Sequence, residues 1–121
     1  MKNEKTFIDE LTVAFPEIKE DILDEDIDGL FYLQIGVLAK YIQASIDNNE
    51  VHLFDRYIIF IDKSLGYFGE KTDNAIYVSI LEHINFARNI LLFNKMPNRL
   101  RHAWKLLNEY NNKSQKNPPL L

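Results

Sequence analysis

LFYLQIGVLAKYIQASI, residues 30–46, is the stretch that decides the fold class of this chain. Its main apolar side chains recur at steps of four and three, which is the spacing of one helix face. They are Phe31, Ile35, Leu38, Ile42 and Ile46. A second apolar set widens the stripe, as is typical of a helix packed on several neighbours, and comprises Leu30, Leu33, Val37, Tyr41 and Ala44. We predict a helix over 30–46, with Asp28 as its N-cap and 47–49 as its end.

Helical spacing continues on both sides of this segment. The other predicted helical segments lie over 6–15, 17–23, 51–68, 74–93 and 97–110. Thr6 is the expected N-cap of the first, Pro16 its end, and a turn through 70–73 separates the two longest. The run 57–61 has strand propensity, but its spacing favours a helix.

These segments predict an all-α protein, namely a compact bundle of about five helices with two helical hairpins preceded by a shorter N-terminal helix. Residues 1–112 are expected to form a single domain. Residues 113–121 are expected to form a flexible polar tail.

Composition fits one globular domain. The chain has 121 residues, of which 46% are hydrophobic and 26% charged. It has no cysteine, which excludes disulfides, thiolate metal ligands and thiol nucleophiles. The first residues lack the apolar region of a signal peptide, and apolar runs are far shorter than the roughly 20 residues that cross a bilayer. We expect a cytoplasmic protein without membrane contact.

The net charge of -4 is unevenly distributed. Residues 1–28 contain ten acidic side chains and three lysines, whereas residues 29–121 contain eight acidic and eleven basic ones. Two interpretations stay open for residues 1–28, the acidic start. They pack against the basic end of the chain, the residues after position 87, within the domain, or they face a partner.

Residues 24–29, DEDIDG, match the first half of a calcium-binding loop. The twelfth position of that loop, which should supply a bidentate carboxylate, is Ile35. The alternative is an acidic approach to the next helix, with carboxylates near its positive end. We predict no metal or other cofactor here, although calcium stays an open alternative.

No catalytic motif is evident. The three histidines have no metal-ligand spacing, and His83 is expected at the core or its boundary; the serines lie in no GxSxG, and no glycine-rich phosphate loop is present. Arg99, Arg101 and Lys105 form a basic stretch, but the chain as a whole is acidic, so we do not expect nucleic-acid binding. We predict that the protein is not an enzyme, with acid–base catalysis by an unidentified carboxylate pair as the remaining alternative.

Three blocks of the sequence, 29–47, 74–86 and 96–105, resemble a bacterial family of small helical domains of unknown function. The resemblance spans roughly residues 6–112 and brings no catalytic residues with it. Such domains are similar to the immunity proteins of polymorphic and contact-dependent toxin systems. The resemblance therefore implies a non-catalytic, toxin-neutralising role with a protein as partner.

The predicted binding face is acidic, because a dense anionic surface fits the basic cleft of a nuclease-type toxin and speeds association. Its residues are Glu17, Glu20, Asp21, Asp24, Glu25, Asp26 and Asp28, with Phe31 or Tyr32 as an aromatic anchor if exposed. A polar stripe of Glu82, Asn85 and Asn89 is a second possible docking face. A segment that only caps a helix and keeps the chain soluble, and a helical scaffold or regulator, stay open alternatives. The oligomeric state is not predicted.

Overall fold

A computed structural model describes residues 2–110, and within that range the chain forms helices and no β-strand. The predicted all-α bundle is confirmed. The elements are α1 Glu4–Ala14, a 3-10 turn Pro16–Ile18, α2 Lys19–Ile22, α3 Phe31–Asp47, α4 Val51–Ser64, α5 Glu70–Ala75 continued by a π-helix Ile76–Leu81, α6 Ile90–Phe93 and α7 Asn98–Tyr110. The predicted tail, 113–121, and the predicted domain end at 112 lie outside the described residues.

Helix α3 is the centre of the bundle and packs on α2, α4 and the π-helix. The five side chains of its predicted inner face, from Phe31 to Ile46, are all buried, as expected. The prediction that Leu30, Leu33 and Ala44 widen this buried stripe is wrong, because all three are exposed. The neighbouring helices cover only part of the circumference of α3, and the remainder faces solvent.

Helix α1 begins earlier than predicted. Its N-cap is Asn3 rather than Thr6: Asn3 Oδ1 accepts a hydrogen bond from the Thr6 N–H at 3.1 Å, and Thr6 Oγ1 accepts one from the Asn3 N–H at 2.7 Å. This reciprocal pair satisfies two backbone donors at once. The helix ends at Ala14, and Pro16 opens the 3-10 turn that follows, as predicted.

The predicted cap of α3 by Asp28 is also wrong. Leu30 occupies the N-cap position, and no side chain caps this helix. Gly29 has a φ of 84°, in the left-handed region that glycine adopts without strain, and it turns the chain between Asp28 and the helix. The Leu30 carbonyl accepts the first hydrogen bonds, from the N–H groups of Leu33 and Gln34 at 3.0 Å each.

The predicted helix over 74–93 differs most from the structure. It begins earlier, at Glu70, because the predicted turn through 70–73 is helical, and it ends at Leu81. Residues 82–89 are irregular, and α6 is a separate short helix.

Side chains from other helices bind the backbone where that helix stops. Gln43 of α3 forms two hydrogen bonds with the backbone of Asn85. Its Oε1 accepts one from the Asn85 N–H at 2.7 Å, and its Nε2 donates one to the Asn85 carbonyl at 2.9 Å. Trp104 Nε1 donates to the Ile84 carbonyl at 3.0 Å. These tertiary hydrogen bonds replace the intrahelical ones that a continued helix would have made.

Aromatic side chains build two parts of the core. Phe7 of α1 contacts Phe31, Phe60 and Phe68, with ring centroids 5.3 to 6.1 Å apart. A second cluster surrounds Trp104 and includes Phe86, Phe93 and Phe54. The first joins α1 to α3 and α4, and the second fixes the irregular segment 82–89 against α7.

Replacing Gly36 with alanine is expected to stabilise the protein by about 0.5–1 kcal/mol, because glycine is unfavourable inside a helix. Gly36 lies in the middle of α3, and an added Cβ meets no atom within 4 Å. Urea denaturation followed by circular dichroism measures the change. The matched control is Gly29→Ala, which is expected to destabilise by about 1–2 kcal/mol because φ at that position is left-handed. A loss of stability in Gly36→Ala would contradict the open space around this residue.

Candidate protein-binding surface

The acidic segment, residues 17–28, runs through the 3-10 turn, α2 and the loop that leads to α3. All seven carboxylates that were predicted to form the binding face are exposed. They are Glu17, Glu20, Asp21, Asp24, Glu25, Asp26 and Asp28. The short helix α2 holds the segment against α3, because Ile22 is fully buried and its carbonyl accepts a hydrogen bond from Gln34 Nε2 at 3.0 Å.

Within residues 2–110 none of these seven carboxylates lies within 4.0 Å of a lysine or arginine nitrogen. The ion pairs in that range use other acidic side chains, namely Glu4, Asp9, Glu10 and Asp62. The basic end is represented among them by Arg99, which pairs with Asp62 of α4 at 2.7 Å. In the described part of the chain, therefore, the acidic start is not neutralised by the basic end.

Three members of the segment gather around one tyrosine. The hydroxyl of Tyr41 on α3 donates a hydrogen bond to Asp21. This hydrogen bond, together with partial burial and the charges of Asp21, Glu17 and Glu20, raises the pKa of Tyr41 above its usual 10.0. The hydrogen bond to Asp21 is the largest cause of the higher pKa, so Tyr41 is held protonated as a donor to the acidic segment.

Tyr32, the predicted aromatic anchor, lies on the other side of α3. It is nine residues from Tyr41, which corresponds to about two and a half turns of helix, so the two side chains point in roughly opposite directions. Its side chain is 39% exposed, and its hydroxyl accepts a hydrogen bond from Asn74 Nδ2 at 3.1 Å. Tyr32 is thus accessible, but the fold does not bring it against the Asp21 end of the acidic segment.

Between these two sides α3 exposes an apolar patch, which the sequence prediction assigned to the core. Leu30 and Leu33 are 51% and 55% exposed, and Val37, on the same face, is half-buried. The exposure of Leu33 could have been predicted from the sequence. Leu33 lies two positions from both Phe31 and Ile35, and so points about 160° away from each. The apolar patch directly follows the acidic segment in the chain.

The calcium-loop match at 24–29 corresponds to a compact turn. The Asp24 carbonyl accepts hydrogen bonds from the N–H groups of Ile27 and Asp28 at 3.0 and 2.9 Å. Its side chain accepts one from the Asp26 N–H at 2.8 Å. Residues 2–110 contain no group of three or more acidic or histidine side chains placed to hold a metal ion.

The second predicted docking stripe is largely used within the fold. Glu82, Asn85 and Asn89 are all half-buried. Asn89 Nδ2 donates to Asn49 Oδ1 at 2.8 Å, and Asn85 Oδ1 accepts the Ala87 N–H at 2.7 Å. The stripe is therefore a poorer docking face than predicted.

His83 is exposed, which contradicts its predicted place at the core or boundary. The prediction assumed a continuous helix, and the chain has already left helical geometry there. Together with Lys40 and Ser79, His83 lines a shallow groove beside α3.

None of the helices in the described range combines the length and the apolar character needed to cross a bilayer.

Comparison with known proteins identifies a family and no function. Residues 8–112 match the family described as Domain of unknown function (DUF7674). No curated protein and no solved structure matches the chain. The matched range contains the acidic segment, Tyr32 and the apolar patch. Because it covers most of the sequence, the chain belongs to the DUF7674 family of domains of unknown function.

Proposed function

We propose that this chain is a non-catalytic module that binds a basic protein through the acidic segment and the adjacent apolar patch. The proposal depends on one observation: seven exposed carboxylates have no cationic partner within residues 2–110. They lie next to two exposed leucines, Leu30 and Leu33, at the start of α3. Protein interfaces commonly combine an apolar centre with a polar rim. Leu30 and Leu33 would form the centre, and the carboxylates one side of the rim.

The two parts of the surface contribute differently to binding. Unpaired carboxylates attract a basic partner over several ångströms and raise the association rate, an effect that salt screens. The leucines contribute by leaving water on contact, at roughly 25 cal/mol per Å² of apolar surface. A basic partner with an apolar contact point therefore gains from both.

We further propose that the partner is a toxin domain and that the chain is its immunity protein in the cytoplasm of a bacterium. The support is the resemblance of blocks 29–47, 74–86 and 96–105 to domains similar to immunity proteins. Toxins that act on nucleic acids or nucleotides need a cationic cleft for phosphate groups. An anionic surface on a packed helical scaffold can occupy such a cleft and block it.

The proposal is tested with a variant that carries Asp24→Asn, Asp26→Lys and Asp28→Lys. Asparagine at 24 retains the side-chain oxygen that accepts the Asp26 N–H. With a toxin domain from a neighbouring gene as the test partner, we expect the variant to bind at least about tenfold more slowly at low salt than the unchanged chain, and to lose growth rescue. Stopped-flow association and co-expression measure the two effects.

The matched control makes the same change in charge at exposed sites outside the segment. It carries Glu50→Gln, Glu70→Lys and Glu109→Lys. We expect it to bind and rescue as the unchanged protein does. Unimpaired binding and rescue by the first variant, or an equal loss in both variants, would contradict a role for the acidic segment.

A further inference from the structure

A cleft of about 540 Å³ lies where the acidic segment meets α1 and α5. Ile8 of α1 and Phe31 of α3 form its apolar walls, and both are buried. Leu23, which is 37% exposed, lies at its edge. Ile8 and Phe31 are only 6% and 7% exposed, so the apolar surface that a side chain can contact at the cleft belongs chiefly to Leu23.

Charged groups at the rim of the cleft are paired, with one exception. Lys71 lies 3.9 Å from Glu4, and Lys5 lies 3.6 Å from Asp9. Asp28 also lines the cleft, and it forms no ion pair with any residue in the range 2–110. Lys5 and Lys71 each form an ion pair with a carboxylate of α1, whereas the negative charge of Asp28 has no cationic partner within the described residues.

A second acceptor lies in the same cleft. Gln34 lines it and is only 3% exposed. Its Nε2 donates to the Ile22 carbonyl at 3.0 Å, which fixes the orientation of the amide. Its Oε1 takes part in none of the hydrogen bonds found among the described residues. The cleft therefore combines a carboxylate and an amide oxygen, neither with a hydrogen-bond or ion-pair partner among residues 2–110, with apolar side chains.

We infer that this cleft receives an arginine side chain of the partner protein. A guanidinium group carries five N–H donors and a permanent positive charge, and its stem is apolar. The charge and donors match the acceptors of Asp28 and Gln34, and the stem can pack against Leu23 at the edge of the cleft. The inference rests on the proposed function in one respect, since it takes the partner to be a basic protein.

The probe is the peptide acetyl-Gly-Arg-Gly-amide, titrated into the ¹⁵N-labelled full chain. Its control is the same peptide with citrulline, which has the shape of arginine without the charge. We expect the arginine peptide to shift the amide resonances of Leu23, Phe31 and Gln34, and the citrulline peptide to leave them in place. Asp28→Asn is expected to weaken binding of the arginine peptide about tenfold.

Asp26→Asn is the matched variant, because Asp26 lies in the same turn but does not line the cleft. It is expected to bind the arginine peptide as the unchanged chain does. Equal shifts with both peptides, no shifts with either, or an equal loss in Asp26→Asn and Asp28→Asn would overturn the inference.

This titration needs no toxin, so the two proposals fail separately. If the chain binds its basic partner but ignores the arginine peptide, the cleft assignment is wrong and the proposed function stands. If the peptide binds in the cleft but no basic protein is bound, the proposed function is wrong, and only the affinity of the cleft for an arginine side chain stands.

Discussion

Replacing Trp104 with alanine is expected to lower the free energy of unfolding by about 3–5 kcal/mol. Trp104 is fully buried, and its ring lies 5.3 Å from that of Phe93 and 5.7 Å from that of Phe86. Its indole N–H also donates to the Ile84 carbonyl. The substitution removes these contacts and leaves a cavity and an unpaired carbonyl. Since domains are stable by only about 5–15 kcal/mol, a large part of the total stability would be lost.

Two variants separate packing from hydrogen bonding at this position. Trp104→Phe retains an aromatic ring but cannot donate to Ile84, and it is expected to cost about 1–3 kcal/mol. Leu106→Ala, on the same helix and 53% exposed, is expected to change stability by less than about 0.5 kcal/mol. Urea denaturation followed by far-ultraviolet circular dichroism suits all three, because Trp104 is the only tryptophan and cannot report on its own replacement. A cost below about 1 kcal/mol for Trp104→Ala would mean that the cluster around it is not packed as described.

Replacing Tyr57 with phenylalanine is expected to remove an alkaline loss of stability. Burial, followed by the charge of Glu17, raises the pKa of Tyr57 to about 12. In the unfolded chain the pKa returns to about 10, so the unfolded state loses its proton first. The stability contributed by the protonated phenol is fully present below pH 10 and declines as the pH rises towards 12. The loss amounts to about 1.4 kcal/mol by pH 11.

The measurement is the free energy of unfolding of both proteins between pH 8 and pH 11. The difference between them isolates Tyr57 from the lysines and other tyrosines. At pH 8 the phenylalanine variant is expected to equal or exceed the parent by up to about 1 kcal/mol, because the Tyr57 hydroxyl is buried and has no hydrogen-bond partner in the structure. A constant difference between parent and Tyr57→Phe across the whole range would rule out the raised pKa.

Much of the fold follows from local rules that the sequence displays. The inner face of α3, from Phe31 to Ile46, and the spacing within α4 both predict helices, and both helices form. Pro16 ends the first helix because its ring disfavours a helical residue before it. These features depend on residues close together in the chain, so periodicity and backbone sterics suffice to predict them.

The candidate site was predictable in composition but not in arrangement. The seven carboxylates are exposed, as their charge requires, since burying an unpaired charge is costly. Their lack of partners was not predictable, because ion pairing depends on where distant lysines and arginines lie. Of the two candidate aromatic anchors, Phe31 is buried and Tyr32 is accessible, but Tyr32 lies on the side of α3 opposite Asp21. Leu33 is apolar, as core residues are, but its angle on α3 points it away from the buried inner face.

By itself, the sequence determined the all-α class, the central helix and the acidic character of residues 17–28. Tertiary structure alone decided that the helix beginning at Glu70 stops at Leu81, and that Asp28 and Gln34 line one cleft. The physical reason is the range of the interactions: Gln43 binds Asn85, which is 42 positions away, and Trp104 binds Ile84, which is 20 positions away. Helix propensity differs by less than about 1 kcal/mol between ordinary residues, so a few such hydrogen bonds between distant residues outweigh it.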